Sequence, residues 1–477
     1  MYKQGQKTKA ADALMVVVDD ASKAEFHAEA YARLGAILEE LDLPYGALVA
    51  YEKALEANAA GVSSVVKKAI KLADTVGDTA LLEPVFAANV GLDVDAATRS
   101  RMAYLAARDA HRQSNYGTAL AILKLVQPDD PFYAEAMSLQ GVTLSMQGRP
   151  KDALAPLLIA QAKADQANKD PRLQNAIRLN LARAYFAAEN FPRAIEYFAL
   201  VSRDSAFWPE AQFERAWAHF RLTDTNGALG LLHSLNAPFF GDWYFPEADL
   251  LRIYSLFLMC KFPDASAGLT DFKGQYTPQL QTLREIGARD TEALFKSMRA
   301  FVEAGDRVSV EERTATSELP RMITRIYEDE DRFLDSLAAI QHAEDEITRL
   351  QNVSANPFAA RVADWVRGRR ATLIKQEGGR IRARANDMAE KLDGMLGDAE
   401  MSKLDMIQFE TRLYESAAVT GKLPDERRQV DRAIKVKANQ RAWPWEGEYW
   451  ADEVGYYRVN TKSDCPASLQ VGGNKSQ

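Results

Sequence analysis

Small residues recur in this chain on a fixed step, and that step rules out most of the ways a polypeptide of its length can fold. Ala107, Gly141, Ala182 and Ala216 occupy one slot, and Ala119, Ala153, Ala194 and Ala228 occupy a second slot twelve residues further on. Two of the three steps are 34 residues; the middle one, Gly141 to Ala182, is 41, and the polar segment "DQANKDP" at 165–171 is where the extra seven belong. A small side chain at a fixed place on a helix lets a second helix approach closely, while larger apolar residues fill the space between pairs. A unit repeated at this step grows along one axis instead of closing round a single core. The 477 residues therefore predict an array, rather than the roughly three domains that length alone would suggest.

A phrase repeats as well. "FWPEA" at 207–211 returns as "YFPEA" at 244–248, with weaker echoes in "FHAEA" at 26–30 and "FYAEA" at 132–136. Proline in the first helical turn presets φ and gives up an N–H that has no partner there. Glu210 and Glu247 then stand where the helix dipole favours negative charge, and the preceding aromatics staple one unit to the last. The phrase reads as the start of a helix. "ENFPRA" at 189–194 and "CKFPDA" at 260–265 read as the turns before second helices.

The first clear unit, 28–61, carries Tyr31, Leu34, Gly35 and Leu38 on one helix and Ala47, Tyr51 and Ala54 on the next. These positions, with the 34-residue helix–turn–helix period, resemble the tetratricopeptide repeat (TPR) family. On that frame the chain reads as all-α. A superhelical array over 1–279 has units near 28–61, 100–133, 134–167, 175–208, 209–242 and 246–279, with 62–99 as a degenerate unit.

Beyond residue 280 the pattern changes. Leu319, Ile323, Ile326, Phe333, Leu337, Ile340 and Ile347 follow a three-four spacing, and Ile374, Ile381, Met388 and Met395 fall seven apart. "NVSANPF" at 352–358 separates the two runs, so 280–440 reads as a long antiparallel helical hairpin with coiled-coil-like packing. Its basic stretch "RGRRATLIKQEGGRIRARA", 367–385, reads as a solvated face or as a surface for an acidic partner or lipid headgroups. Residues 441–459, with three Trp and three Tyr, read as a non-helical aromatic latch over 441–465 that docks on a neighbouring surface of the chain or is presented to another protein, and 466–477 as a disordered tail.

Several functions are disfavoured. A net charge of −8 is poorly suited to nucleic acid, whose affinity comes from clustered Lys and Arg. No apolar run approaches the ~18 residues a membrane span needs, so membrane contact is expected only indirectly or through the basic hairpin. The five histidines (His27, His111, His219, His233 and His342) form no close metal-ligand pair, and no nucleophile elbow, dinucleotide fingerprint or phosphate loop is present. A non-enzymatic protein without cofactor or metal is expected. Cys260 and Cys465 exclude a disulfide framework or a cysteine zinc site; they read as a buried and a free thiol, or as one bridge clamping the C-terminus if the compartment is oxidising.

In TPR proteins the first helix of each unit faces a concave surface that binds peptides or protein segments. Carried onto this frame, the resemblance gives Tyr104, Arg108 and His111, then Leu179, Arg183 and Phe186, then Phe213, Trp217 and Phe220, then Leu250, Tyr254 and Phe257. Aromatics with a few arginines suit an interface hot spot, although the same rings also suit inter-repeat core. Three longer passages, "FWPEAQFERAWAHFRLTDTNGALGLLHSLNAPFF" at 207–240, "YFPEADLLRIYSLFLMCKFPDA" at 244–265 and "WPWEGEYWADEVGYYRVNTKSDC" at 443–465, resemble large TPR proteins of deltaproteobacteria. These include proteins associated with adventurous gliding motility in myxobacteria. That resemblance implies a periplasmic or envelope-associated scaffold and favours the Cys260–Cys465 bridge. The N-terminus "MYKQGQKTKAADAL", without an apolar stretch or cleavage site, reads instead as cytosolic if nothing has been removed. The expectation is a protein or peptide segment bound in the groove; the alternative is self-assembly through the hairpin. The partner's identity and the oligomeric state are not written in the sequence.

Overall fold

Proline opens many of the helices. Pro44, Pro150, Pro192, Pro209 and Pro246 all stand in a first turn, where the missing N–H leaves no gap in the helical ladder. The computed structural model describes residues 6–305, 308–351, 356–420, 447–450 and 452–465, and among these it is all-helical, with no strand. The first ten helices are α1 (Lys7–Asp19), α2 (Ala24–Glu40), α3 (Pro44–Asn58), α4 (Val66–Val76), α5 (Glu83–Ala88), α6 (Ala96–Arg112), α7 (Tyr116–Leu123), α8 (Tyr133–Met146), α9 (Pro150–Gln166) and α10 (Pro171–Ala187). Five more follow: α11 (Phe191–Ala199), α12 (Trp208–Arg221), α13 (Thr225–Leu235), α14 (Pro246–Leu258) and α15 (Phe262–Ala288). The last five are α16 (Thr291–Ala304), α17 (Val310–Ser317), α18 (Arg321–Tyr327), α19 (Asp331–Gln351) and the 64-residue α20 (Pro357–Thr420).

Helices adjacent in sequence pack as pairs, α2 on α3, α5 on α6, α8 on α9 and α12 on α13. The recurring small residues explain how closely they do so. Ala107, Ala182, Ala216, Ala119, Ala153, Ala194 and Ala228 are all fully buried. A Cβ on Gly35 would meet the Tyr51 ring at 2.6 Å, and one on Gly141 would meet Leu157 at 2.4 Å. The aromatic-Pro-Glu-Ala phrase opens α12 and α14. Phe245 reaches back to the preceding pair, 5.6 Å from Phe213, whereas Trp208 lies 5.6 Å from Phe240, downstream of it beyond α13, and not against the preceding unit. The echo at 26–30 lies inside α2, which begins at Ala24, so that copy is not a helix start.

By contacts the chain divides into two compact units: Met1–Ala184 with Ala288–Ala383, and Tyr185–Gly287 with Arg384–Gln477. The expected boundary at 279/280 falls inside α15. That helix runs through Pro278, whose exposed position lets solvent satisfy the carbonyl that the proline cannot. The apolar run expected to form the first limb of a hairpin is not one continuous helix. Residues 310–327 form two short helices, because Glu318 takes a left-handed φ of 56° and Pro320 cannot continue a helix. The long helix α19 therefore starts at Asp331. Most of the turn at 352–358 lies outside the described residues, as do the first part of the latch, 441–446, and the tail, 466–477.

In the first unit, α20 meets its neighbours through buried and half-buried ion pairs and hydrogen bonds. Arg369 donates twice to Asp78, at 2.8 and 2.6 Å, and Tyr45 donates to the same carboxylate at 2.6 Å. Glu344 takes Arg299 and Arg370, Glu377 takes Ser336, and Arg380 pairs with Glu330 and Glu377. Part of the basic stretch is thus spent within the unit: Arg369, Arg370 and Arg380 each face one of its carboxylates. Glu346, fully buried, crosses to the N-terminus of α3, where it accepts from the backbone of Tyr45 at 2.7 Å and Gly46 at 2.6 Å.

Burial raises the Glu346 carboxyl from about 4.5 to about 7, against the pull of those two N–H donors. The folded state then holds a proton between these values that the unfolded chain has lost. Glu346 thus contributes stability fully present below about pH 4.5 and lost as pH rises through about 7. Glu346→Gln removes this titration and leaves one buried N–H facing an amide NH2, at a cost of about 1–3 kcal/mol. Urea denaturation of both proteins between pH 4.5 and 8 should show the wild-type advantage over the variant shrinking as pH rises. A constant difference would mean the carboxyl does not titrate in this window.

Candidate interaction surface

The residues placed on a concave face by the repeat frame fall into both compact units. In the first unit Tyr104, Arg108, His111 and Arg183 are half-buried, but Leu179 is only 2% exposed and offers no surface. Tyr104 stacks on Phe132 at 6.1 Å, with Arg101 4.0 Å above the Phe132 ring. Arg108 donates to Glu83 at 2.8 Å and to Thr79 at 2.6 Å, and Arg112 reaches the same carboxylate. Glu83 is fully buried at the start of α5, so Arg108 balances an interior charge and is not held open for a ligand. Nothing local reveals this pairing, because Glu83 lies 25 residues away in the segment that fits the repeat frame worst. His111 lies 2.9 Å from the Thr143 hydroxyl, whose own proton goes to the Leu139 carbonyl. The hydroxyl therefore accepts, the imidazole donates from Nδ1, and burial lowers its basicity.

In the second unit Phe186, Phe213, Trp217, Phe220, Tyr254 and Phe257 are half-buried, whereas Leu250 is 3% exposed and belongs to the core. Phe213, Trp217 and Phe220 share one face of α12 at helical spacing. They rest on a buried cluster that includes Ala216, Ala228, Leu231, Leu232 and Leu251. Each of these rings thus packs on the core with one side and is only half-buried. Trp217 meets Phe220 edge-on at 5.5 Å. Phe257 is covered from within the unit: Phe409 of α20 lies 5.9 Å from it and 5.8 Å from Phe262. α15 and α20 run antiparallel here, with Arg284 paired to Asp393 and Lys273 to Glu400.

The latch is an extended strap on α13. The Glu453 and Val454 N–H groups donate to the Trp450 carbonyl, and the Gly455 N–H donates to Ser234 Oγ at 2.9 Å. Asn226 both donates to and accepts from the Thr461 backbone, each at 3.1 Å. Gly455 sits at φ +91° against the Trp208 ring, which no other residue could match without strain. His233 lies 5.0 Å from both Tyr449 and Tyr457, and Val454 is buried. The Asp464 N–H donates to the Met259 carbonyl, its carboxylate pairs with Lys261 at 3.0 Å, and a disulfide joins Cys260 to Cys465. Sequence reasoning found the strap but not its seat. The signal available was Asn226, Gly230 and Ser234, a polar and small stripe four residues apart on an otherwise apolar helix.

Other chemistry is thinly represented. A cleft of about 670 Å³ in the second unit carries Asp249, Arg252, Asp264 and Asp271, but Asp249 already accepts from the Tyr276 hydroxyl at 2.7 Å. Among the described residues no group of three His, Cys, Asp or Glu side chains is arranged to hold a metal, and no helix is long and apolar enough to cross a membrane. Compared with known proteins, the sequence matches no protein-family model and no curated relative.

Proposed function

We propose that the chain is a non-enzymatic, TPR-type scaffold that binds a segment of a partner protein on the aromatic face of its first helices. The observation that carries this reading is the row of half-buried rings on α12 and α14. Phe213, Trp217 and Phe220 are each seated on core yet only half-buried, as anchors of an interface are, and Tyr254 of α14 is half-buried too. The resemblance in the passages at 207–265 and 443–465 extends the proposal to an envelope or gliding-motility complex. Affinity capture with wild-type and Trp217→Ala/Tyr254→Ala baits tests it. One prey should fall by about tenfold or more, the loss expected at a hot spot, while the bait's thermal melt stays within a few degrees. An unchanged capture set would remove the reading.

A second reading, structural self-assembly through the hairpin, draws on α20. Met401, Leu404 and Ile407 are each more than half exposed, and Tyr414 nearly so, along one side of its C-terminal part. Light scattering across a concentration series should then show an oligomer that Leu404→Glu/Ile407→Glu disperses.

A further inference from the structure

The strap is held as a separate extended peptide would be. Asn226 grips the N–H and C=O of Thr461, contacts that read backbone and not side chain. Gly230 admits the Tyr457 carbonyl so closely that a Cβ there would lie 2.4 Å from its oxygen. The face also fits this particular segment: His233 receives Tyr449 and Tyr457, and Lys261 receives Asp464. Only one covalent link fixes the strap to its seat, Cys260–Cys465, across 205 residues of sequence.

We propose that this face is a disulfide-gated connector between copies of the chain. With Cys260–Cys465 open, the strap of a second copy takes the seat of the chain's own, and reoxidation locks it there as an intermolecular Cys260–Cys465 bond. Every contact made within one chain is available between two, because the incoming segment is identical; exchange of an identical element is a low-cost route to association. Effective concentration favours the chain's own strap, and the closed disulfide makes that choice exclusive. The exchange balances with a dithiol as reductant. Its thiolate attacks Sγ of Cys465, the more exposed cysteine, and Cys260 leaves as a thiolate and takes a proton. The second thiol of the reductant resolves the mixed disulfide, so the protein gains two electrons and two protons and the dithiol closes to its disulfide. Relocking reverses this, with the oxidised dithiol taking the two electrons and two protons from Cys465 of one copy and Cys260 of the other.

The test uses two full-length variants. Cys260→Ser keeps a reactive strap, and Cys465→Ser keeps a reactive seat. Each is reduced, the two are mixed, and oxidised dithiol is returned. Non-reducing electrophoresis should show a mixed dimer whose cross-linked peptides, by mass spectrometry, pair Cys465 of one chain with Cys260 of the other. Adding Asn226→Ala to the Cys465→Ser chain removes two backbone hydrogen bonds and should cut its yield by about tenfold or more. The proposal is overturned if no such cross-link forms while both variants melt as the reduced wild type does. A yield indifferent to Asn226 overturns it too, since random collision would then explain the bond, and so does a product holding only Cys465–Cys465 pairs.

Discussion

Arg369→Ala is expected to destabilise the first compact unit by about 3–5 kcal/mol, the usual result of stripping one partner from a buried ion pair. Asp78 is only 1% exposed, and Arg369 supplies two of its hydrogen bonds. With the guanidinium gone, a carboxylate would remain in the interior with only the Tyr45 hydroxyl and whatever solvent enters the cavity. Burial and the same carboxylate already raise the Tyr45 phenol, so that group cannot take over the charge. Urea denaturation followed by far-UV circular dichroism measures the loss. The paired change Asp78→Asn/Arg369→Met, which keeps an acceptor for Tyr45 and removes both charges, should recover most of it, because a neutral pair has no comparable desolvation cost. A single-variant loss below about 1 kcal/mol, the range of exposed pairs, would show the pair to be open to water.

Gly378→Ala is expected to cost about 3 kcal/mol, the upper range for forcing extra volume into a packed contact. Its Cβ would fall 1.8 Å from the carbonyl oxygen of Thr291 and 2.6 Å from the carbonyl carbon, and backbone has no rotamer by which to retreat. Thr291 is the first residue of α16, held by Asp290, which accepts from the N–H groups of Glu292 and Ala293. Relief therefore requires moving a capped helix. The neighbouring Gly379 has nothing within 4 Å of its Cβ position. Gly379→Ala should stabilise by up to about 1 kcal/mol, the ordinary gain of alanine over glycine in a helix. Thermal melts of the two variants, one residue apart, should move in opposite directions. A shared direction would mean that α16 and α20 do not meet as closely as the structure has them.

The sequence carried a great deal of the local structure, because the forces behind it are local. Proline in a first turn and small residues at a repeated helical position act over one or two turns, and the pairs α8–α9 and α12–α13 follow them. The aromatic character of 441–459 was legible for the same reason. The candidate face was legible only in part. Spacing put Phe213, Trp217 and Phe220 on one side of α12, but it could not show that Leu179 and Leu250 sit in the core or that Phe257 meets Phe409.

What the sequence by itself determined is the all-helical class, the starts of several helices and the close approach of neighbouring helices at small residues. Each of these depends on residues within a few tens of positions of one another. What only the tertiary structure decided is which charges face inward and where the strap lies. Glu83 answers Arg108, Glu346 crosses 300 residues to the start of α3, and Asn226 meets Thr461 across 235. The physical reason is that a buried carboxylate or a backbone clamp takes its meaning from its partner's position, and no periodicity links residues brought together only when distant helices pack.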